Sequence, residues 1–168
     1  LEPLWERDYP GLLRVNGCGA AVICVGTEVS DRSMVLDPAT GDLLWESESY
    51  LSLTQAGSVL LSGGVTGPGI AIDPLVALDI RTGRVVRDFG RWRRIEYDRA
   101  PGDERTLIMG MAGNRPVQIV AELDTRAMSV RVLDLIHDSD AECYAGRGRL
   151  SCWLEDGGVE VWDLSAAR

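Results

Sequence analysis

Four short runs in this chain each end on an aspartate: Val35-Leu36-Asp37, Ala77-Leu78-Asp79, Glu122-Leu123-Asp124 and Val161-Trp162-Asp163. The aspartates are 42, 45 and 39 residues apart, and the span from Asp163 through the two termini to Asp37 is again 42. A period of about forty residues constrains the fold more than any other feature. Each unit must adopt the same supersecondary shape and bury its apolar side against its neighbours.

Within each unit the apolar runs are short and separated by turn residues. In the first, Leu12 to Val15 and Ala20 to Gly26 flank Asn16-Gly17, a favoured hairpin pair. Met34 to Leu36 lead into the turn Asp37-Pro38-Ala39-Thr40-Gly41-Asp42, and Leu43-Leu44-Trp45 follow. The Asp37 carboxylate can accept from amides of its own turn and Gly41 can take the positive φ that closes it, so no ligand is needed to explain the turn. The second unit repeats this order with Val59 to Leu61, Val76 to Leu78, the turn after Asp79, and Val85-Val86. The third offers Thr106 to Met109, Val117 to Val120 and Val130 to Leu133; the fourth offers Glu142 to Tyr144, Leu150 to Leu154, a turn at Glu155 to Gly158, and Val159 to Trp162. Long stretches with a 3.6-residue period are absent. The chain therefore reads as all-β, one domain over residues 1–168, a β-propeller with four blades of about 42 residues.

The ends match as well. The chain stops inside the fourth aspartate turn and opens with Pro3-Leu4-Trp5-Glu6, which parallels Leu43-Leu44-Trp45-Glu46. The N-terminal strand is thus expected to complete the last blade beside Val159 to Trp162, hiding two sheet edges. Closure within one chain is the leading expectation. An eight-bladed ring of two chains and a piece of a longer array are the alternatives.

Residues 36–45 and 77–86, each a Leu-Asp turn followed by a strand, resemble the repeat of the pyrroloquinoline-quinone-like (quinoprotein-like) propellers. Val159-Glu160-Val161-Trp162-Asp163-Leu164 is similar to a WD-repeat strand. The likeness is sharpest in the first two units; in the third, Ala127 and Met128 stand where Thr-Gly would be. The resemblance implies a blade, and a family in which seven or eight blades are usual. A quinoprotein dehydrogenase would also show a stacking tryptophan, calcium-ligating acidic and amide residues, a catalytic aspartate and often adjacent paired cysteines. This chain has no adjacent cysteine pair and no match for the rest, so the fold does not bring the enzyme with it.

Charge and composition narrow the function further. A net charge of −9 repels phosphate backbones, so nucleic acid is not expected as a partner. All 17 basic residues are arginine, which removes Schiff-base and phosphate-loop lysine chemistry. Apolar stretches such as Ala20 to Val25 are too short for a transmembrane segment. The single histidine, His137, has Asp138, Ser139 and Asp140 beside it, but sequence neighbours in a loop do not converge as a catalytic triad does. No catalytic residue, cofactor or metal site is expected. Trp5 and Trp45 occupy matched positions and are expected to pack between blades.

Two stretches remain as partner-binding candidates. Arg91, Trp92, Arg93 and Arg94 form an arginine–aromatic cluster on an acidic chain. Gly63, Gly64, Thr66 and Gly67 lie in a glycine-rich connection, a rim loop of the kind through which scaffolds bind. The expected function is a non-enzymatic binding or scaffold module that presents rim loops to a protein partner, as a monomer or homodimer. A quinone-dependent dehydrogenase-like domain and a small-ligand or glycan-binding propeller are the alternatives.

Cys143 and Cys152 flank a hairpin centred on Arg147-Gly148, a placement that sets them opposite each other on paired strands. Cys18 and Cys24 occupy the matching hairpin of the first unit, less symmetrically. Pairing within two hairpins suits an extracytoplasmic protein; buried thiols in the cytoplasm are the alternative. Alkylation of the native protein without reductant should leave at least Cys143 and Cys152 unlabelled by mass. Labelling of all four thiols would contradict both the pairing and the compartment.

Overall fold

The computed structural model describes residues 2–9, 14–16, 18–26, 32–50, 52–63, 73–97, 104–113, 117–138 and 141–164. Among these residues every regular element is a strand, and the strands form four four-stranded sheets. The first sheet runs in chain order through β1 (Arg14–Asn16), β2 (Ile23–Gly26), β3 (Ser33–Leu36) and β4 (Leu43–Ser47). The second does the same with β5 (Thr54–Ala56), β6 (Val59–Ser62), β7 (Val76–Asp79) and β8 (Val85–Asp88). Two short strands follow, β9 (Arg93–Arg94) and β10 (Glu96–Tyr97), then β11 (Arg105–Met111), β12 (Gln118–Asp124) and β13 (Ser129–Ile136). β9 lies beside β11 in the third sheet. β10 crosses into the fourth, beside β14 (Glu142–Gly146), with β15 (Arg149–Trp153) and β16 (Val159–Asp163) beyond. Every pairing is antiparallel except the two-residue parallel contact of β10 with β14.

The middle strands explain why the apolar runs are continuous rather than alternating. β3 and β6 are buried on both faces, whereas β8 is exposed along its length. A strand covered on both faces needs apolar residues at every position. The sheets stack in chain order through three apolar cores. Val35, Cys24 and Trp45 of the first sheet meet Leu60, Val76 and Leu78 of the second. Val59, Leu61 and Ala77 of the second meet Ile108, Ala121 and Leu123 of the third. Leu107, Met109 and Val120 of the third meet Cys143, Leu150 and Cys152 of the fourth.

The aspartate turns are near-copies. Asp37 and Asp79 each accept at the carbonyl from the glycine four residues on, Gly41 and Gly83, at 2.8 and 2.9 Å. Their amides donate to the carbonyls of Asp42 and Arg84, both at 2.9 Å. Gly41 and Gly83 have φ of 73° and 67°. In the third unit Met128 takes the same place with φ 50°, a left-handed conformation that costs a non-glycine residue about 1 kcal/mol or more.

Two expectations are corrected. Residues 2–9 form no strand, and β16 stands at the end of its sheet, so the predicted pairing of Pro3 to Glu6 with Val159 to Trp162 is not made. The segment is held elsewhere, on the first sheet's turn. Trp5 Nε1 donates to the Pro38 carbonyl at 2.9 Å, Arg7 pairs with Asp42 at 2.9 Å, and the Tyr9 hydroxyl donates to the Gly41 carbonyl. Nor is Asn16-Gly17 a two-residue turn, since Asn16 pairs with Cys24 and leaves a longer connection; Gly17 itself lies outside the described residues. The Cys18–Cys24 disulfide closes that connection, and Gln55 of the second sheet anchors it, its backbone N–H donating to the Cys18 carbonyl and its side-chain Oε1 accepting from Ala21 N at 2.9 Å.

Thr125 joins the second and third sheets. It is 2% exposed, and its hydroxyl lies 3.1 Å from the Ala56 carbonyl and 2.8 Å from that of Glu104. Thr125→Val keeps the shape and deletes the donor, so it should cost about 1–2 kcal/mol in urea unfolding. A change below a few tenths of a kcal/mol would show that this contact does not hold the sheets together.

Candidate interaction site at the rim and the fourth sheet

Consecutive connections of an antiparallel sheet alternate between its two ends. The β6–β7 and β8–β9 connections therefore share one end, and hydrogen bonds tie them. Leu75 N donates to the Gly90 carbonyl at 2.8 Å, and Phe89 N donates to the Leu75 carbonyl at 2.9 Å. Gly63 enters this rim against the Pro74 carbonyl, where a Cβ would fall 2.1 Å from the oxygen. Gly63 and Arg91, one from each stretch singled out in the sequence, thus lie at the same end of the second sheet, with Pro74, Leu75 and Gly90 between them. Gly64, Thr66 and Gly67 lie outside the described residues.

The arginine cluster divides. Arg91 is exposed on the rim. Trp92 turns inward, packing among the residues between the second and third sheets, with its ring over Gly110. Arg93 and Arg94 are half-buried neighbours on β9 that reach toward opposite sheets. Arg93 donates to the Gln118 side chain at 3.3 Å and to the Ala141 carbonyl, at the start of the fourth sheet, at 2.8 Å. Arg94 donates to Thr54 Oγ1 at 2.6 Å and to the Ser52 carbonyl at 2.7 Å, at the start of the second. Fixed guanidinium donors here join sheets, and their stems fill the space between them.

The other candidates fall into place individually. Cys143 pairs directly with Cys152 across β14 and β15, 4.1 Å apart at Cα, and the two are disulfide-bonded, as are Cys18 and Cys24. Arg147 and Gly148 make the hairpin turn with φ of 50° and 76°, the sign pattern that matches the twist of the strands. His137 is exposed, and Asp138 accepts from Glu155 N at 2.7 Å, bracing the β15–β16 turn. Ser139 and Asp140 lie outside the described residues. Among the described residues no group of three or more His, Cys, Asp or Glu side chains gathers as a metal site, and no helix is long and apolar enough to cross a membrane.

A second surface is not signalled by any motif. On the fourth sheet the face away from the third carries Tyr144, Trp153, Val159 and Val161, which are 58, 64, 67 and 57% exposed. Val35 and Ala77, at the position of Val161 in the first two units, are wholly buried. An aromatic and aliphatic patch on one sheet face marks an interaction surface.

Among the described residues, the turn after Asp79 holds a carboxyl whose ionisation is displaced from its ordinary value. Its carboxylate accepts from the Thr82 hydroxyl and amide, both at 2.8 Å, and from Arg81 N at 3.1 Å. The Thr82 hydroxyl, then its amide, hold the Asp79 carboxyl below its ordinary value, with Arg81 adding and partial burial opposing. A carboxyl that ionises more readily when folded stabilises the native state above its unfolded pKa, and that contribution fades as pH falls through the folded value. The stability advantage of the wild type over Asp79→Asn should accordingly be full at pH 7 and shrink below about pH 4. Urea midpoints that keep a constant gap between pH 7 and pH 3 would contradict this.

No protein-family model and no curated protein matches the sequence. Solved structures do resemble the fold. The computationally designed Ika4 protein is 19% identical and aligns over 86% of each chain with a TM-score of 0.50. An uncharacterized protein of Listeria monocytogenes EGD-e is 12% identical over 92% of this chain, TM-score 0.52. KlAtg21, solved in complex with the coiled coil of AgAtg16, is 14% identical over 95% of this chain, TM-score 0.56. The chain spans about half the length of the last two, 51 and 55%. These likenesses concern the fold alone.

Proposed function

We propose that the four sheets are the blades of a propeller-type module that performs no reaction of its own and holds a protein partner on the rim that carries Gly63, Leu75 and Arg91. The observation that carries this is the hydrogen-bonded pairing of Leu75, at the end of one connection, with Phe89 and Gly90 of another at one end of the second sheet, with exposed Arg91 at its edge. Support for the blade arrangement comes from the serial stacking of sheets, in which the second and third each use one face toward their predecessor and the other toward their successor. KlAtg21, similar in fold, is a protein solved with a coiled-coil partner. The two disulfides suit an extracytoplasmic setting, since such bonds persist where the surroundings are oxidising.

Arg91 suits a partner with an acidic or aromatic contact residue, because a guanidinium offers both paired donors and a stacking face. Capture experiments with immobilised chain test the proposal. Arg91→Glu should lower recovery of the principal partner at least fivefold with an unchanged circular dichroism spectrum. Arg84→Glu, in the turn at the opposite end of the second sheet, should leave recovery intact. Equal recovery by all three proteins would remove the rim from the account.

A further inference from the structure

The openings between neighbouring sheets are not alike along their outer strands. Between the first and second, Trp45 of β4 stands beside Val35 and turns toward the second sheet, where its Nε1 donates to the Ile80 carbonyl at 2.8 Å. The ring is 9% exposed and covers the core beneath it. Between the second and third sheets the matching position is Arg87, which stands beside Ala77 on β8 and is exposed. Cross-strand partners share a face, so Arg87 lies on the side of Ala77, toward the third sheet. From the third sheet, Val132 of β13 stands beside Ala121 of the same core and is 57% exposed. Phe89, Met128 and Val130 are only partly buried where they pack on this core, as is Trp92 at the rim. An apolar strip thus runs along β8 from the rim, with no counterpart of Trp45 over it.

Two arginines border the strip. Arg7, Arg32, Arg81, Arg105, Arg126 and Arg131 each lie within 4.0 Å of a carboxylate. Arg87 and Arg91 have no such neighbour among the described residues. Asp88, between them, turns its carboxylate to Gly90 N at 2.7 Å. On a chain of net charge −9, this is a local cationic border beside uncovered apolar side chains.

We propose that the strip holds an acidic–apolar segment of the protein partner. One carboxylate of the segment pairs with Arg87, a second pairs with Arg91, and an apolar or aromatic side chain between them lies over Val130 and Val132. This rests on the rim reading above and deepens it, carrying the contact from Arg91 along β8. Guanidinium forks bind carboxylates, and two of them set against a repelling acidic surface fix where such a segment can lie. A basic segment meets like charge at both borders, so the same pair excludes it. Arg87 and Arg91 are separated by at most about 13 Å at ~3.3 Å per residue, a span that a short extended segment covers.

The probe is a fluorescein-labelled peptide, Glu-Leu-Trp-Leu-Glu, followed by fluorescence anisotropy at ~0.15 M salt. It should bind more tightly than Lys-Leu-Trp-Leu-Lys or Glu-Ser-Ser-Ser-Glu. Arg87→Glu should weaken binding at least about fivefold and Val132→Ser at least about threefold. Arg84→Glu makes the same change of charge beyond the other end of β8 and should leave affinity within about twofold. All three side chains are exposed, so circular dichroism should not change. Absence of binding up to about millimolar peptide would overturn the proposal, as would equal binding of the lysine or serine peptide. Affinity indifferent to both Arg87→Glu and Val132→Ser would overturn it too. The rim reading fails separately, when Arg91→Glu still recovers the protein partner.

Discussion

An indole laid on a glycine is the contact on which the alignment of the first two sheets depends. The Trp45 ring lies so close to Gly83 that an added Cβ would fall 2.6 Å from Cδ2, and Trp5 stands in the same relation to Gly41, 2.6 Å from Cε3. Three requirements meet there. The turn needs a left-handed residue four positions after its aspartate, the ring needs a surface without a side chain, and the indole N–H needs the carbonyl one residue past the aspartate. Glycine satisfies the first two together. The aspartate turn supplies the third by fixing the backbone through its own amide bonds. Arg81 of the second turn lies 4.0 Å from Asp37 of the first, so the two turns stand side by side.

Where that contact is missing, the structure changes its means. The third turn has Met128 at the glycine position, and the strand before it carries exposed Arg87 where Trp45 would be. The second and third sheets are joined instead by the Thr125 hydroxyl, by Arg94 reaching Thr54, and by a core of small and aliphatic side chains around Ala56, Ala77 and Ala121. The Arg93 guanidinium spans from the third sheet to the fourth. Fixed donors take over where ring-on-glycine packing ends.

This division accounts for what could be read from the residues alone. Periodic aspartate turns and continuous apolar runs were legible because each follows from local chemistry. The two-residue strands β9 and β10 and the three-residue β5 were not, since their pairing is decided by partners distant in the chain. Arg93 and Arg94 read in sequence as part of a partner-binding cluster, and only the carbonyls of Ala141 and Ser52 reveal them as bridges. The matched Trp5 and Trp45 gave the right equivalence. They did not reveal whether Leu4 and Trp5 have a strand beside them. Alternation in β14 to β16 likewise shows which residues share a face, never whether anything covers it, so Tyr144 and Trp153 passed as ordinary strand residues.

A double-mutant cycle between Trp45 and Gly83 tests most directly whether ring-on-glycine packing sets the alignment. Gly83→Ala introduces both a Cβ at a left-handed φ and a collision with the indole. In a Trp45→Ala background the strain at φ persists while the collision disappears. The account predicts that Gly83→Ala costs at least ~1 kcal/mol more in the wild type than in the Trp45→Ala protein, a coupling of the size found for residues in direct contact. Equal costs in the two backgrounds would mean that the ring does not rest on the glycine in solution, and that something else sets one sheet against the next.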